Sequence, residues 1–433
     1  MRPDMASRFR SCCLMASVLL KEKKYFCEPN EINPLMKILF VIDTIETNNN
    51  GTSISAHRFA DELRRRGHEV RILCADPQET DANGVALPVE VTGKYIVKEF
   101  VIPLFDPLVK KHGFTYGDFL PRSRAVIHEA VEWADVVHTF FPFPLDMVAS
   151  SYAAKIGKPN TGAFHVQPEN ITSSLGCGKV QWVQNMIYRI FRKSHYYKYR
   201  HVHVPSAFMG RMLEERDYKA KIHVISNGIQ DAFMEAGEHK IDNGRPPKLP
   251  EYQDKIVIIM VGRLSKEKRQ DVIINAVNHS KYADKIQLVF AGKGPKYEKY
   301  VKLGEKLANP PQFVYVKQDE LIKLLLQCDL YVHASDMESE AISCIEAFAT
   351  GLVPVIANSE LSATPQFALD DRSLFLPGNP KDLARAIDYW LDNPTERERM
   401  EKSYVKAAKK YSLANSVRMF EEMLNEEIED QKE

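Results

Sequence analysis

The run "KILFVID", from Lys37 to Asp43, decides the fold class of this 433-residue chain. Its apolar residues follow one another without alternation, which is typical of a strand buried on both faces of a parallel sheet. An amphipathic segment, "SISAHRFADELRRRG", comes after it, and a second apolar run, "HEVRILCA", follows that segment. Strand, helix and strand in this order predict a βαβ unit, so the sequence indicates an α/β fold with an open, doubly wound sheet.

The same pattern runs through the chain twice. Strand signals recur in "ADVVHTFF" and "HVHVPS", and the array starts again with "IVIIMVG", "IQLVFAGKG", "DLYVHAS" and "VPVIAN". Between the two arrays the sequence is rich in Pro, Gly and charge, which is typical of a linker. We therefore predict two Rossmann-like domains, residues 36–235 and 254–400, joined by a linker at 236–253 and followed by a charged helical tail at 401–433. Such domains bind ligands in a cleft at the carboxyl ends of their strands.

Residues 1–35 are predicted to be an N-terminal extension with little structure. The segment "CCLMASVLL", from Cys12 to Leu20, resembles a signal-peptide core, but it continues into "KEKK" without a small-residue cleavage site. No apolar run is long enough to span a bilayer. The seven cysteines show no metal-type spacing, which favours a reducing, cytoplasmic compartment. A formal net charge of +0 argues against a nucleic-acid binder.

A basic loop follows the first strand of the second array. Arg263 and Lys268 lie in "VGRLSKEKRQD", after a buried strand and before a helix. Two fixed cations at a strand end suit a diphosphate, because they neutralise the charge that grows on a leaving phosphate. The alternative is a solvated loop, since Lys266 and Arg269 are also basic. No DxD-type carboxylate pair follows a strand, so we predict that these cations take the place of a metal ion.

Two glutamates bracket a helix start in "SDMESEAISCIEAFATGLVPVIAN", from Ser335 to Asn358. Glu338 precedes the predicted helix and can accept hydrogen bonds from sugar hydroxyls, whereas Glu346 lies two turns inside and can bind two ribose hydroxyls. A helix that starts near residue 341 leaves three backbone N–H groups available to a sugar, those of Glu340, Ala341 and Ile342. The alternative roles are helix-dipole complementation for Glu338 and a surface position for Glu346. The apolar neighbours of Glu346 favour a buried, partnered carboxylate.

Two residues of the first array are further candidates. Gly51 lies in the loop "NNNGTS", which leads into a helix whose first turn offers free N–H groups to a phosphate. The spacing matches neither a dinucleotide fingerprint nor a P-loop, so a plain capping turn is the alternative. His165 follows a strand in "TGAFHVQPEN" and is predicted to face the cleft. The alternative there is a structural histidine.

Four motifs together, "GRLSKEK", "ESEAISCIEAFATGLVPVIA", "VISNGI" and "VPSAFM", resemble those of the retaining family 4 glycosyltransferases. The resemblance covers residues 36–400 and implies the GT-B fold, two Rossmann-like domains that face each other across a cleft. It implies that the second domain binds the donor and the first the acceptor. The implied active-site residues are Arg263 and Lys268 at the diphosphate, Glu338 at the donor sugar, Glu346 at the ribose, Gly51 in the first loop, and His165.

One position departs from the family pattern. The family usually has glycine directly after the first glutamate, where this chain has Ser339 followed by Glu340. The departure lies in the loop at the sugar, so the sequence leaves glucose and galactose both open as the donor sugar.

Within the family, "NNNGTSISAHRFADELRRRGHEV" and "FHVQPENI" are most similar to bacterial diacylglycerol glucosyltransferases and ceramide galactosyltransferases. The segment from Val180 to Val204 is an independent indication of lipid. It interleaves aromatic and basic residues, which suits an interfacial helix on an anionic membrane, although an ordinary amphipathic helix is the alternative. The predicted membrane-facing residues are Trp182, Arg189, Arg192, Lys193 and Lys198.

The sequence thus predicts a cytoplasmic enzyme, peripheral on the inner face of the membrane. It transfers a hexose from UDP-glucose or UDP-galactose to diacylglycerol or ceramide with retention, and it needs no cofactor, metal or nucleic acid. One alternative is the same enzyme class with a polysaccharide or soluble acceptor. Others are a non-catalytic nucleotide-sugar binder and a nucleotide oxidoreductase. The missing GxGxxG after the first strand argues against the oxidoreductase.

Overall fold

The computed structural model describes residues 35–45, 51–81, 83–101, 116–174 and 180–432. Most of the predicted N-terminal extension, and residues 46–50 of the first loop, lie outside the described residues. The strands are β1 Lys37–Val41, β2 Glu69–Cys74, β3 Lys94–Ile96, β4 Val136–Thr139, β5 Asn160–Ala163, β6 His201–Val204, β7 Lys221–Val224, β8 Ile256–Val261, β9 Ile286–Ala291, β10 Gln312–Val314, β11 Leu330–His333, β12 Pro354–Ala357 and β13 Leu374–Phe375.

Both predicted sheets are present, and both are parallel. The first has seven strands in the order β3-β2-β1-β4-β5-β6-β7, and the second has six in the order β10-β9-β8-β11-β12-β13. Each order reverses direction beside its first strand, as expected of a doubly wound sheet. The predicted α/β class is therefore confirmed.

Helices connect the strands and cover both faces of each sheet. None in the described part of the chain is long and apolar enough to cross a membrane. The helices are α1 Gly51–Arg65, α2 Val89–Thr92, α3 Arg124–Trp133, α4 Pro144–Lys155, α5 Pro168–Ser174, α6 Gln181–Ser194, α7 Ala207–Glu214, α8 Asp231–Asn243, α9 Gln270–Val277, α10 Tyr297–Gly304, α11 Gln318–Gln327, α12 Ile342–Ala349, α13 Pro380–Asp392, α14 Pro394–Ala408 and α15 Leu413–Asp430.

Strand β1 shows why an unbroken apolar run predicts this fold. Ile38 and Phe40 pack into a core cluster on one face of the first sheet, whereas Leu39 and Val41 pack into a cluster on the other face. Because successive side chains alternate across a strand, only a sheet covered on both faces buries all four.

The segment predicted as a linker begins inside a helix. Residues 236–243 belong to α8, which packs against α12, and the chain becomes irregular only after Asn243. Glycine is one of the residue types on which the linker prediction rests, but Gly237 lies in the middle of α8. A Cβ at this position would be 1.9 Å from the carbonyl oxygen of Ala349 in α12. This glycine therefore lets the backbones of two helices touch.

The last helix returns to the first sheet. Helix α15 contributes Val417, Phe420, Met423 and Leu424 to the core cluster that contains β1. The ring of Phe420 meets Phe40 edge-on, with the two ring centroids 5.8 Å apart. The predicted tail thus contains the end of α14 and the whole of α15, and α15 completes the hydrophobic core of the first sheet.

Candidate active site

The basic loop after β8 is held against a neighbouring strand-end loop. The backbone N–H of Asp336 donates to the carbonyl of Glu267 at 2.8 Å, and Arg269 Nη1 donates to both carboxylate oxygens of Asp336 at 3.2 Å. Arg269 adopts a left-handed backbone conformation, φ 53°, where the loop turns into α9. These contacts bring the predicted diphosphate loop and the predicted sugar loop together, as expected of loops at the carboxyl ends of adjacent strands.

Lys268 and Glu338, both predicted site residues, form an ion pair. The ammonium group of Lys268 donates to Glu338 Oε1, and His333 Nε2 contacts the same oxygen at 3.0 Å. His333 is fully buried at the end of β11, and its other ring nitrogen lies 3.0 Å from the hydroxyl of Tyr331. Burial alone raises the pKa of Glu338, but Lys268 and His333 outweigh it and hold the pKa well below its usual range. Glu338 is therefore an ionised acceptor at neutral pH.

The start of α12 is shaped as predicted. The helix begins at Ile342, and Ala341 caps it in a left-handed conformation, φ 76°. Among the described residues, no group accepts a hydrogen bond from the backbone N–H groups of Glu340, Ala341 or Ile342. A non-glycine residue with positive φ is strained, and such strain is found mostly at functional sites. The three N–H groups are thus presented together beside Glu338.

The side chain of Glu340 contacts the loop that follows the last strand of the first sheet. Its Oε2 accepts hydrogen bonds from the backbone N–H and the side-chain amide of Asn227, at 3.1 and 2.5 Å. Asn227 belongs to the "VISNGI" motif, which follows β7. Burial raises the pKa of Glu340 to about 7. The sequence predicted only its backbone N–H as a site group, so the side-chain role of Glu340 is an addition.

The residue that departs from the family pattern takes part in a second such contact. The hydroxyl of Ser206, in the "VPSAFM" motif, donates to the carbonyl oxygen of Ser339 at 2.6 Å. Ser206 also caps α7 through the backbone N–H of Met209. Segments attached to the first sheet therefore hold the sugar loop at two successive residues, 339 and 340.

Glu346 is buried and partnered, as its apolar neighbours predicted. Its partner is Arg58 of α1, with Nη2 of Arg58 3.6 Å from Oε1 of Glu346. Burial raises the pKa of Glu346 to about 7, and the guanidinium group opposes that rise. In the described residues, Nη1 of Arg58 is buried without a hydrogen-bond partner. The proposed ribose ligand is therefore linked to a helix of the first sheet.

His165 lies two residues beyond β5, as predicted. Its ring stacks on Phe140, with centroids 6.1 Å apart, and meets His203 edge-on. Burial holds the pKa of His165 well below its ordinary value, so the imidazole is neutral. Its Nε2 is buried without a hydrogen-bond partner among the described residues. A purely structural histidine would usually have this nitrogen satisfied.

Gly51 is the first residue of α1. A Cβ at this exposed position would meet no atom within 4 Å, so the packing of the described residues does not require glycine here. The role of Gly51 at a phosphate therefore stays a prediction.

Two buried aspartates of the first domain form an acidic pair. Asp43 follows β1, and Asp146 lies in the first turn of α4. Asp43 accepts from the backbone N–H of Gly117 at 2.7 Å, and Asp146 accepts from those of Phe140 and Phe141 at 3.0 and 3.1 Å. Burial raises the pKa of both carboxyl groups. The pair therefore retains a proton under conditions where free carboxyls are ionised.

Helix α6 presents an exposed apolar row beside a basic one. Trp182, Met186 and Ile190 are spaced four residues apart and are 69%, 45% and 51% exposed. Arg189 and Lys193 lie alongside and line a shallow groove with Met186 and Ile190. The opposite face packs inward through Tyr188, whose hydroxyl donates to Glu169 at 3.0 Å. The predicted helix is thus present with its apolar row facing outward, and its contact with a membrane stays a prediction.

Two of the predicted membrane cations are engaged elsewhere. Lys198 Nζ donates to the hydroxyl of Ser151 at 2.6 Å, and burial lowers its pKa to about 8, so its prediction as a membrane-facing residue was wrong. Lys198 lies beyond the end of α6, where the spacing of the helix no longer sets the side-chain direction. Arg192 donates to the carbonyl of Arg216 at 2.9 Å and pairs with Asp217. Arg189 and Lys193 carry the outward positive charge.

Three site residues were missed by sequence reasoning. His333 ends the strand in "DLYVHAS", and its position beside a strand end was an available signal. Arg58 and Asn227 contact glutamates 288 and 113 residues away along the chain. No local pattern connects partners at that separation.

Both arrays of the chain match models of glycosyltransferase families. Residues 49–233 match the model of the family described as "Glycosyltransferase Family 4", and residues 244–428 match that of "Glycosyl transferases group 1". The chain is 23% identical to the alpha-monoglucosyldiacylglycerol synthase of Streptococcus pneumoniae, over 75% of this chain and 71% of that protein.

Two solved structures are also similar. The catalytic domain of cholesterol-alpha-glucosyltransferase from Helicobacter pylori is 54% identical, over 36% of this chain and 99% of that one, with a TM-score of 0.36. Anabaena Alr3699/HepE, in complex with UDP and glucose, has a TM-score of 0.66 at 16% identity, over 90% of this chain and 99% of that one. The similarity to HepE confirms the two-domain GT-B fold.

Proposed function

Because this chain belongs to the family 4 glycosyltransferases, we propose that it transfers glucose or galactose from a UDP-sugar to a membrane lipid. The acceptor is a hydroxyl of diacylglycerol or ceramide, and the anomeric configuration is retained. The enzyme works at the inner face of the cell membrane, from the cytoplasm. One observation carries this proposal beyond the family: the exposed apolar and basic rows on α6.

The donor half of the proposal rests on the loops after β8 and β11. Arg263 and Lys268 neutralise the diphosphate, and Glu338 accepts hydrogen bonds from sugar hydroxyls, which its lowered pKa favours. The three N–H groups at the start of α12, which have no acceptor in the described part of the chain, donate to the sugar, and Glu346 accepts from the ribose. The HepE structures contain UDP or UDP-glucose, which supports a uridine nucleotide as the donor.

The reaction needs no protein nucleophile. The acceptor oxygen forms a bond to the anomeric carbon while the bond from that carbon to the diphosphate oxygen breaks. The acceptor proton passes to the leaving UDP on the same face of the sugar. Arg263 and Lys268 stabilise the negative charge that develops on UDP, and neutral His165 donates or accepts a hydrogen bond at the sugar.

The lipid half of the proposal rests on α6. Trp182, Met186 and Ile190 suit the boundary between headgroups and acyl chains, and Arg189 and Lys193 suit anionic headgroups. The helix belongs to the first domain, which the family uses for the acceptor. The pneumococcal relative is named for a glycolipid product, which supports the same acceptor class.

A product assay tests the reaction. Purified protein is incubated with UDP-glucose, UDP-galactose or, as a control, GDP-mannose, together with vesicles that contain diacylglycerol or ceramide. Cholesterol, the acceptor named for the Helicobacter domain, completes the panel. We expect an α-glycolipid from a UDP-sugar, identified by mass and chromatography. UDP release with soluble or polysaccharide acceptors alone contradicts a lipid acceptor.

A matched pair of variants tests the membrane surface. Each basic residue near an anionic surface contributes about 1 kcal/mol, so Arg189→Gln with Lys193→Gln should weaken vesicle binding by about 2 kcal/mol, or about 30-fold. Lys198→Gln is the control, because Lys198 is directed towards Ser151. Unchanged vesicle sedimentation in the double variant, or an equal loss in the control, contradicts docking through α6.

A further inference from the structure

A cluster of metal-ligating side chains lies at the far edge of the first sheet. His201 begins β6, His223 lies on the edge strand β7, and Glu426 projects from α15. His201 lies at the amino end of β6. The proposed cleft for donor and acceptor lies at the other side of the sheet, where the strands have their carboxyl ends. The cluster therefore belongs to neither half of the proposed active site.

The three ligand atoms converge closely. Nδ1 of His201 lies 2.8 Å from Nε2 of His223, and Oε2 of Glu426 lies 3.8 Å from each of these nitrogens. A point equidistant from the three atoms is about 2.0 Å from each, which is the usual length of zinc–nitrogen and zinc–carboxylate bonds. This point lies in the plane of the three atoms, so the two imidazole nitrogens must move apart for the ion to take a tetrahedral arrangement.

A further carboxylate orients the first histidine. Nε2 of His201 lies 2.9 Å from Oδ2 of Asp430, one helical turn beyond Glu426 on α15. An ionised carboxylate only accepts, so it fixes the proton of His201 on Nε2 and leaves a lone pair on Nδ1. In this structure that lone pair accepts from Nε2 of His223, and both nitrogens face the ion once His223 carries its proton on Nδ1 instead. Metal-ligating histidines nearly always have such an outer partner, because it sets the tautomer and raises ligand basicity.

We propose that His201, His223 and Glu426 bind one Zn²⁺ ion that fastens α15 to the β6–β7 edge of the first sheet. Two imidazoles and one carboxylate suit zinc rather than Mg²⁺ or Ca²⁺, which prefer oxygen ligands. Water takes the fourth tetrahedral position. The ammonium group of Lys221, which contacts Oε2 of Glu426, is exposed and moves to the other carboxylate oxygen when the ion binds.

Calorimetric titration of chelator-treated protein with Zn²⁺ tests the site. We expect one equivalent to bind, and binding to disappear in His223→Ala and in Glu426→Gln. Asp430→Asn should weaken binding about 10–100-fold, as is typical for an outer partner of a ligand. His239→Ala, at an exposed histidine on α8, is the control and should bind as the wild type does.

Thermal unfolding gives a second measurement that does not depend on glycosyl transfer. Zn²⁺ should raise the Tm of the wild type and of His239→Ala, because the ion binds the folded chain, and should not raise it in His223→Ala or Glu426→Gln. His201 is buried and is left unchanged, so that the variants retain the fold. No binding to the wild type overturns the proposal. So does binding that survives in both ligand variants, which marks an adventitious ion only.

Discussion

Substitution of Lys268 by alanine separates the two tasks of this side chain. In the structure it neutralises Glu338, and in the proposed reaction it stabilises the leaving UDP. The side chains of Lys268 and Glu338 are only 19% and 12% exposed, so their ion pair is a buried one. Removal of one partner from a buried pair typically costs about 3–5 kcal/mol, because the other charge is left without compensation. His333 still contacts Glu338, so we expect the lower end, about 3 kcal/mol.

The loss of stability should depend on pH with a defined sign. The pKa of Glu338 is lowered in the folded protein, so as pH falls the unfolded chain takes up this proton before the native state does. The stabilisation is therefore full above the ordinary glutamate pKa of about 4.3 and is lost below it. Urea unfolding should show the largest difference between wild type and Lys268→Ala near pH 7. The difference should shrink towards pH 3.

The kinetic effect is measured as UDP release with saturating donor and acceptor. Removal of one group that stabilises developing charge typically lowers kcat by about 10²–10³. Lys266→Ala is the matched control, because Lys266 is an exposed lysine of the same loop. A double variant, Lys268→Ala with Glu338→Gln, should recover part of the lost stability and none of the lost kcat. Equal losses in the Lys266 control, or additive stability losses in the double variant, refute the assigned pairing.

Other positions give independent tests. Glu346→Gln should weaken the binding of UDP alone by about tenfold, since it replaces one charge-assisted contact to the ribose, and calorimetry with UDP measures this. Asp43→Asn should flatten the pH dependence of stability. The raised pKa values of Asp43 and Asp146 make the wild type lose stability as pH rises above about 4, and urea unfolding at pH 5 and pH 7.5 compares the two proteins. EDTA should leave the initial rate unchanged. If EDTA lowers the rate, and Mg²⁺ or Mn²⁺ restores the rate but Zn²⁺ does not, then a metal ion acts at the donor.

The fold was predictable because buried parallel strands leave a strong local signal. β8 is a continuous apolar run, β1 is one after Lys37 and β9 is one apart from Gln287, and the predicted bounds of all three lie within three residues of the observed ones. The edge strand β7 was missed, since its "KIHV" is only partly buried and carries no such run. Helix α8 was missed because Gly237 resembles a helix breaker. Its actual role depends on the approach of α12, which no local pattern reveals.

The candidate site was predictable where it consists of strand-end loops. Lys268, Glu338 and the N–H groups at the start of α12 lie in two short segments, and the structure brings these segments together. The contacts of Glu340 with Asn227 and of Glu346 with Arg58 were not predictable. Both contacts form where residues that follow a strand of the second sheet pack against residues of the first domain. Each contact joins residues more than 100 positions apart in the sequence. Lys198 was misplaced because a basic residue beyond a helix end has no fixed direction.

The return of α15 to the first sheet has a consequence for synthesis in the cell. The last strand of that sheet, β7, ends about 190 residues before α15 begins. At translation rates of about 5–20 residues per second, the ribosome needs roughly 10–40 s to make the intervening chain. Throughout that interval Phe40 and Phe59 lack the covering ring of Phe420. The nascent protein therefore exposes an apolar face of its first sheet until α15 has been made.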